Sequence, residues 1–399
     1  MSIYIILMIF ALMGYVFKAN RNEQSRKHYL YIVFGMIIFV AMFRSDQVGI
    51  DLRNYYNKYF PVFRDASWGN LQRVTISGDW ELGFCAFCKL IGYISTDTQC
   101  FVIFTSIFCF LPYALFIYKN SDDVVFSTVF FLGYHVYMMS MNIVRQAMAV
   151  GIILIGFEAL KRKQYIKYLI YVGIAALFHT SAVVAVLLIL CDRLRFKRNT
   201  FFVLAVVTAG VGAAYRVLFE AILRVSSLSF LYGIYSATGP GDSGGYVTFH
   251  TLGMFGIALA VFVYCYSVYN CRSVSCRPYS CKTKIRRILF FHNAKIQIKK
   301  VRMDSSIYWS ESMLMYATYL AVFFRFSAFL INVTARFAMY FIPFLMIAFP
   351  HAVNKEQKSL NRKIAMVSGL AVILVFFIFL GFTRAGVMWG TVPYHFFME

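Results

Sequence analysis

Long apolar runs constrain this chain more than anything else in it. They fall at Ile3–Phe17, Tyr29–Phe43, Phe101–Tyr118, Val124–Met141, Phe201–Val217, Val247–Tyr269, Leu314–Ile331, Phe337–Phe349 and Ile364–Phe382. Most are long enough to cross a hydrocarbon core of about 30 Å as a helix. The expectation is an all-α polytopic membrane protein, one integral membrane domain over residues 1–399. Composition agrees: 60% of residues are hydrophobic and 14% are charged, where a soluble domain is nearer half and a quarter.

The net charge of +22 could suggest nucleic acid, but its distribution argues against it. The basic residues sit in short loops between apolar runs, the positive-inside pattern. No nucleic-acid partner is expected; the bilayer is. Lys18, Arg21, Arg26 and Lys27 against Glu23 put the first loop in the cytoplasm and the N-terminus outside. The first run lacks a basic leader and a small-residue cleavage site, so it reads as a span rather than a signal peptide. Residues 44–80 carry Arg44, Arg53, Lys58, Arg64 and Arg73 against Asp46, Asp51, Asp65 and Asp79, a near-neutral balance that suits the outer side. Glu81–Tyr93 is too short for an ordinary span. It is expected to be an interfacial or re-entrant helix, making residues 44–98 an outer loop with a short helix at 81–93.

Tyr165–Leu190 lies between two strongly basic stretches, Lys161–Lys167 and Arg193–Arg198. Both ends belong inside, so the segment must go out and return as a short helical hairpin, bent at Phe178-His179-Thr180-Ser181. Residues 218–246 form an outer loop whose glycine-rich turn, Thr238–Gly245, lacks the Lys-Ser/Thr of a phosphate-binding loop. Residues 270–306 form a strongly basic cytoplasmic loop. Its stretch Ile285–Val301 interleaves bases with apolar residues, as in a helix lying on anionic lipid. The total is about twelve crossings, two of them short, with both termini outside.

With this topology the unusual polar residues converge on the outer side. Arg44, Asp51 and Glu81 lie in or beside the first outer loop. Arg145 and Gln146 open an otherwise apolar helix there. His179 and Ser181 mark the hairpin tip, Arg336 starts a helix, and Arg325 lies within the span before it. A cation near mid-membrane costs roughly 2.5–3.5 kcal/mol on insertion scales, so a chain that keeps one usually uses it. Arginine gives permanent, bidentate contacts to phosphate oxygens, which suits a lipid-borne diphosphate. A histidine can serve as base or phosphate contact. Each residue also has a plainer reading. Arg145 can snorkel to the interface, Arg336 can anchor its helix at the headgroups, and His179 can cap the bend. Arg44 can simply end a span, and Asp51 can organise its loop. Only Arg325 is too deep to snorkel easily. Cys85-x-x-Cys88 has no redox context around it, and the cysteines read as small apolar filler.

The chain also resembles the EpsG/Wzy-like polysaccharide polymerases of bacteria, from about residue 30 to the C-terminus. The resemblance rests on Phe43-Arg44 with Val48-Gly49-Ile50-Asp51 and Tyr55, on Glu81-Leu82-Gly83-Phe84, and on Asn142-Ile143-Val144-Arg145-Gln146-Ala147-Met148-Ala149. It continues in Ala176-Leu177-Phe178-His179-Thr180-Ser181-Ala182, Arg336 with Tyr340-Phe341, and Trp389 with Pro393-Tyr394. The long basic loop 270–306 departs from the family pattern, in which this region is usually shorter.

The resemblance implies an enzyme, a glycosyltransferase of the bacterial cytoplasmic (inner) membrane with its site facing outside. It would polymerise undecaprenyl-diphosphate-linked oligosaccharide repeat units for O-antigen, capsule or exopolysaccharide. No metal or other cofactor is implied, and a chain-length regulator protein stays open as a partner. Arg145, His179 and Arg336 are the expected catalytic residues. Arg44, Asp51, Glu81, Gln146, Ser181 and Arg325 are expected to bind substrate. An O-antigen ligase, a lipid-linked-sugar flippase or other transporter, and a membrane O-acyltransferase are the rival readings.

Overall fold

The computed structural model describes residues 1–71, 80–197, 199–225, 248–275, 311–330, 334–383, 386 and 389–398. The glycine-rich turn at 238–245, the basic loop beyond Ser275, and Arg73 and Asp79 of the first loop lie outside the described residues.

Every regular element described is helical. Three helices begin alike. Asn22, Asp97 and Asp123 are extended, and their side chains accept the amides of Ser25 (2.8 Å), Gln99 (2.9 Å) and Phe126 (2.9 Å). Each such bond satisfies an amide that the first helical turn leaves unpaired.

Among the described residues, Thr98–Asn120, Phe249–Tyr269 and Ser359–Thr383 are long and apolar enough to cross a membrane. Val124–Gly133 and Val136–Asn142 make a fourth candidate if taken as one span, bent by 52°. The bend falls at Tyr134-His135, where His135 is left-handed with φ +58°. Val144–Lys161 follows directly; it is apolar except for Arg145, Gln146, Glu158 and Lys161.

Burial separates the middle of the bundle from its rim. Every residue of Val124–Gly133 is buried, as is most of Val144–Lys161 and Ile342–Lys355. A helix apolar all round must be sheathed by others. Ser359–Thr383 instead exposes Val367, Val372, Val375, Ile378 and Phe382 along one side. A face of that kind suits lipid rather than water.

The expected hairpin is present. Tyr165–Ala176 ends at Leu177, the chain turns through Phe178 and His179, and a 3₁₀ segment, Thr180–Val186, runs on into the helix Leu187–Arg193. The second limb packs back on the first, and the Tyr168 hydroxyl donates to the Ala185 carbonyl at 2.8 Å.

The basic turns share one end. There Asn20 donates to Asp123 (2.7 Å), Lys161 to Asn120 (2.8 Å), and His351 lies 2.8 Å from Asp122. The opposite end is closed by the C-terminal segment, which threads back over the start of the first long loop. Ser45 N–H donates to the His395 carbonyl (2.9 Å), Phe397 N–H to Phe43 (3.0 Å) and Gly49 N–H to Gly390 (2.8 Å). Arg44 and Phe396 form an isolated antiparallel bridge. The Tyr394 hydroxyl and the Gln99 amide cap the end of Glu23–Met42, donating to the Val40 (2.5 Å) and Met42 (2.6 Å) carbonyls.

The stretch read as a polar outer loop is substantially helical. Ile50–Asn54, a π turn Tyr55–Tyr59 and Phe60–Asp65 run on from one another. Val48, Leu52, Tyr55, Phe60 and Phe63 point inward and are buried. Their spacing of three to five residues marks one helical face, hidden in the sequence by the charges between them. Gly49 opens this excursion at φ +110°, a conformation open to glycine and strained for other residues.

Candidate active site

At the end closed by the C-terminal segment, three sequence-distant stretches meet on one carboxylate. Glu81 stands directly before the helix Leu82–Gly92, and its backbone is extended. Its Oε2 takes a hydrogen bond and ion pair from Arg145. Its Oε1 lies 3.1 Å from His179 Nδ1 and accepts the Thr180 amide at 3.2 Å. With Glu81 ionised, Nδ1 carries the imidazole proton and Nε2 keeps its lone pair.

Arg145 has two further supports. Its Nε donates to the Tyr55 hydroxyl at 3.0 Å, and its guanidinium lies 4.4 Å from the Trp80 ring centre, a cation–π arrangement. Trp80 is packed in turn by Tyr59 (4.2 Å), Phe63 (5.1 Å) and Phe84 (6.0 Å). The helical excursion of the first long loop therefore builds an aromatic wall behind Arg145. A quarter of the Arg145 side chain (25%) stays exposed, against 12% for Glu81. The arginine is braced from behind and open in front.

Glycine explains how the hairpin tip comes so close. A Cβ on Gly83 would stand 2.7 Å from the Leu177 carbonyl oxygen, and the Phe84 amide donates to that same oxygen at 3.2 Å. The obstacle is backbone and cannot swing away. Gly83→Ala should cost about 1–3 kcal/mol through overpacking. It should lower the unfolding midpoint and weaken activity, because it separates Glu81 from His179. Gly173→Ala, where nothing lies within 4 Å, is the control and should leave both unchanged.

Arg336 belongs to the short helix Ala335–Ala338, and its side chain is exposed. Its carbonyl accepts the buried Gln146 amide at 2.5 Å, so the residue next to Arg145 positions the Arg336 segment. Ser181 ties the hairpin tip to the same region through a 2.9 Å bond to Tyr340 Oη. Asp51 is held by its backbone, its amide donating to Asn142 Oδ1 at 2.9 Å. Its half-buried carboxylate feels the charges of both Arg336 and Arg145.

Asp51 and Glu81 lie outside the apolar spans, and their environments push them apart. Burial holds the Asp51 carboxyl above the usual carboxylate range, against the opposing pull of Arg336 and Arg145. Burial would also raise Glu81. The hydrogen bond from His179 and the Arg145 charge outweigh it and hold this carboxyl below that range.

Arg145, Glu81, His179, Gln146, Arg336, Asp51 and Ser181 are thus brought together, directly or through one intervening residue. Arg44 and Arg325 are not. Arg44 is 1% exposed and sits among Tyr4, Tyr137, Tyr394 and Cys109; its Nε and Nη1 find no hydrogen-bond partner among the described residues. Arg325 is 3% exposed, with its guanidinium 5.8 Å from the Tyr134 ring at the bend of the broken helix. Tyr55, Trp80 and Asn142 were not expected as site residues, yet they hold Arg145 and Asp51 in place. Tyr55 and Asn142 fall inside the motif stretches, and Trp80 directly precedes Glu81. Cys85 and Cys88 are free, buried thiols within the helix Leu82–Gly92.

This arrangement presents two guanidiniums, one braced and one exposed, with a carboxylate and an oriented imidazole beside them. It can hold a multiply charged anion and stabilise negative charge that develops on it. No curated protein and no solved structure matches the chain. The sequence profile of the EpsG family matches residues 27–396, nearly its whole length and every stretch that supplies the cluster. This membrane protein therefore belongs to the EpsG family.

Proposed function

We propose that the chain is a glycosyltransferase that polymerises undecaprenyl-diphosphate-linked oligosaccharide repeat units on the outer face of the bacterial cytoplasmic membrane. The growing chain on its diphosphate is the donor, and the next lipid-linked repeat is the acceptor. Arg145 and Arg336 hold the donor diphosphate and stabilise the charge that gathers on it as the glycosidic bond breaks. Glu81 is a positioning residue for Arg145 and His179. His179, held by Glu81 through Nδ1, stands beside the same anion.

The single observation that carries this reading is Arg145 braced by Glu81, Tyr55 and Trp80 with its front left open. A merely snorkelling arginine has no need of a buried carboxylate and an aromatic wall. The cluster also lies at the end opposite the basic turns, and the positive-inside pattern puts that end outside. We read the apolar runs together as about twelve crossings.

The test is a deletion strain examined for its surface polysaccharide. Single repeat units on the outer lipid, with the ladder restored by the wild-type gene, are expected. An intact ladder would remove the polymerase assignment. Loss of even the single repeat would favour a flippase.

A further inference from the structure

We propose that Asp51 is the general base of the transfer, taking the proton from the acceptor hydroxyl; this rests on the polymerase reading above. Three side chains at the site can accept a proton. Glu81 is fully engaged, with Arg145 on one oxygen and His179 and the Thr180 amide on the other. His179 is tied to Glu81 through Nδ1, and burial, with the charges of Arg145 and Arg336, works against its taking up a proton.

Asp51 differs from both. It comes from a separate element, the helix Ile50–Asn54. Its backbone is fixed from two sides, by Asn142 at its own amide and by Gly390 at the Gly49 amide. Its carboxylate makes no hydrogen bond or ion pair among the described residues, although Arg145 and Arg336 both act on it. Neither guanidinium comes within ion-pair reach. A carboxylate that feels two cations and pairs with neither among the described residues keeps its oxygens available to a substrate hydroxyl. The aspartate then stands on one side of the anomeric carbon and the diphosphate on the other, the layout of a direct displacement. Burial holds the carboxyl above the usual carboxylate range despite its cationic neighbours.

The step balances without another reactant. The acceptor oxygen forms a bond to the anomeric carbon while the bond from that carbon to the diphosphate oxygen breaks. The electron pair leaves on the diphosphate, and the hydroxyl proton goes to Asp51. The anomeric centre inverts.

The test uses the purified full-length chain with lipid-linked repeat units, with undecaprenyl diphosphate itself as the binding probe. Asp51→Asn should lower turnover by about 10²–10⁴-fold, as loss of a general base does. Its affinity for undecaprenyl diphosphate and its unfolding midpoint should be unchanged, because the Asn142 bond is to the backbone. Asp51→Glu, which keeps a carboxylate, should recover part of the rate. Asp51→Asn turning over at the wild-type rate would overturn the assignment, as would a loss of affinity that accounts for the loss of rate. Arg145→Ala separates the two claims. If it loses undecaprenyl diphosphate binding while Asp51→Asn keeps full turnover, only the base is misassigned. If it binds normally, the reading of the site fails.

Discussion

Arg145→Ala is expected to lower the rate of chain growth by about 10²–10³-fold, the loss typical when one preorganised donor to developing negative charge is removed. The physical reason lies in what surrounds it. Tyr55 at 3.0 Å and Trp80 at 4.4 Å fix the guanidinium before substrate arrives, with Glu81 on its third side. No reorganisation is then needed as the bond breaks. Arg145→Lys should recover little, because an ammonium cannot bond Tyr55 and Glu81 at once and still present a fork to phosphate. Chain length on a gel and single-turnover rates check this. Protein level in the membrane controls for insertion.

The second large effect belongs to Glu81. Glu81→Ala leaves a guanidinium and an imidazole N–H facing a hole, together with the Thr180 amide. Removing one partner of a fully buried pair costs about 3–5 kcal/mol. Arg145 is a quarter exposed, so about 2–4 kcal/mol is the appropriate range here. Glu81→Ala should therefore lower the unfolding midpoint and abolish detectable chain growth together. The double variant Arg145→Ala/Glu81→Ala should be more stable than Glu81→Ala alone, because the stranded charge is gone. A double-mutant cycle should show a coupling of about 0.5–3 kcal/mol; strict additivity would mean the pair does not act as a unit.

Much of this was legible in the sequence because the signals were local. The basic flanks of Tyr165–Leu190 require a turn, and the chain turns at Leu177–His179. The motif stretches around Glu81, Arg145 and His179 do converge. What stayed hidden depends on packing between distant segments. Nothing near Arg44 says that Tyr4, Tyr137 and Tyr394 will enclose it, or that the C-terminal segment will cover it through Phe396. The break at Tyr134-His135 has no proline to mark it. The helical excursion after Gly49 is disguised because its apolar face carries charges between the buried residues. The ending Trp389, Pro393 and Tyr394 proves to be part of the segment that pins the Asp51 loop.

The most direct measurement of the central claim is reconstitution. The purified chain is placed in lipid vesicles with undecaprenyl-diphosphate-linked repeat units and nothing else, and the products are resolved by length. The account predicts a ladder, with one undecaprenyl diphosphate released for each repeat added and release slowed by about 10²–10³-fold in Arg145→Ala. Repeat units that remain single, or growth that requires a nucleotide sugar, would contradict it.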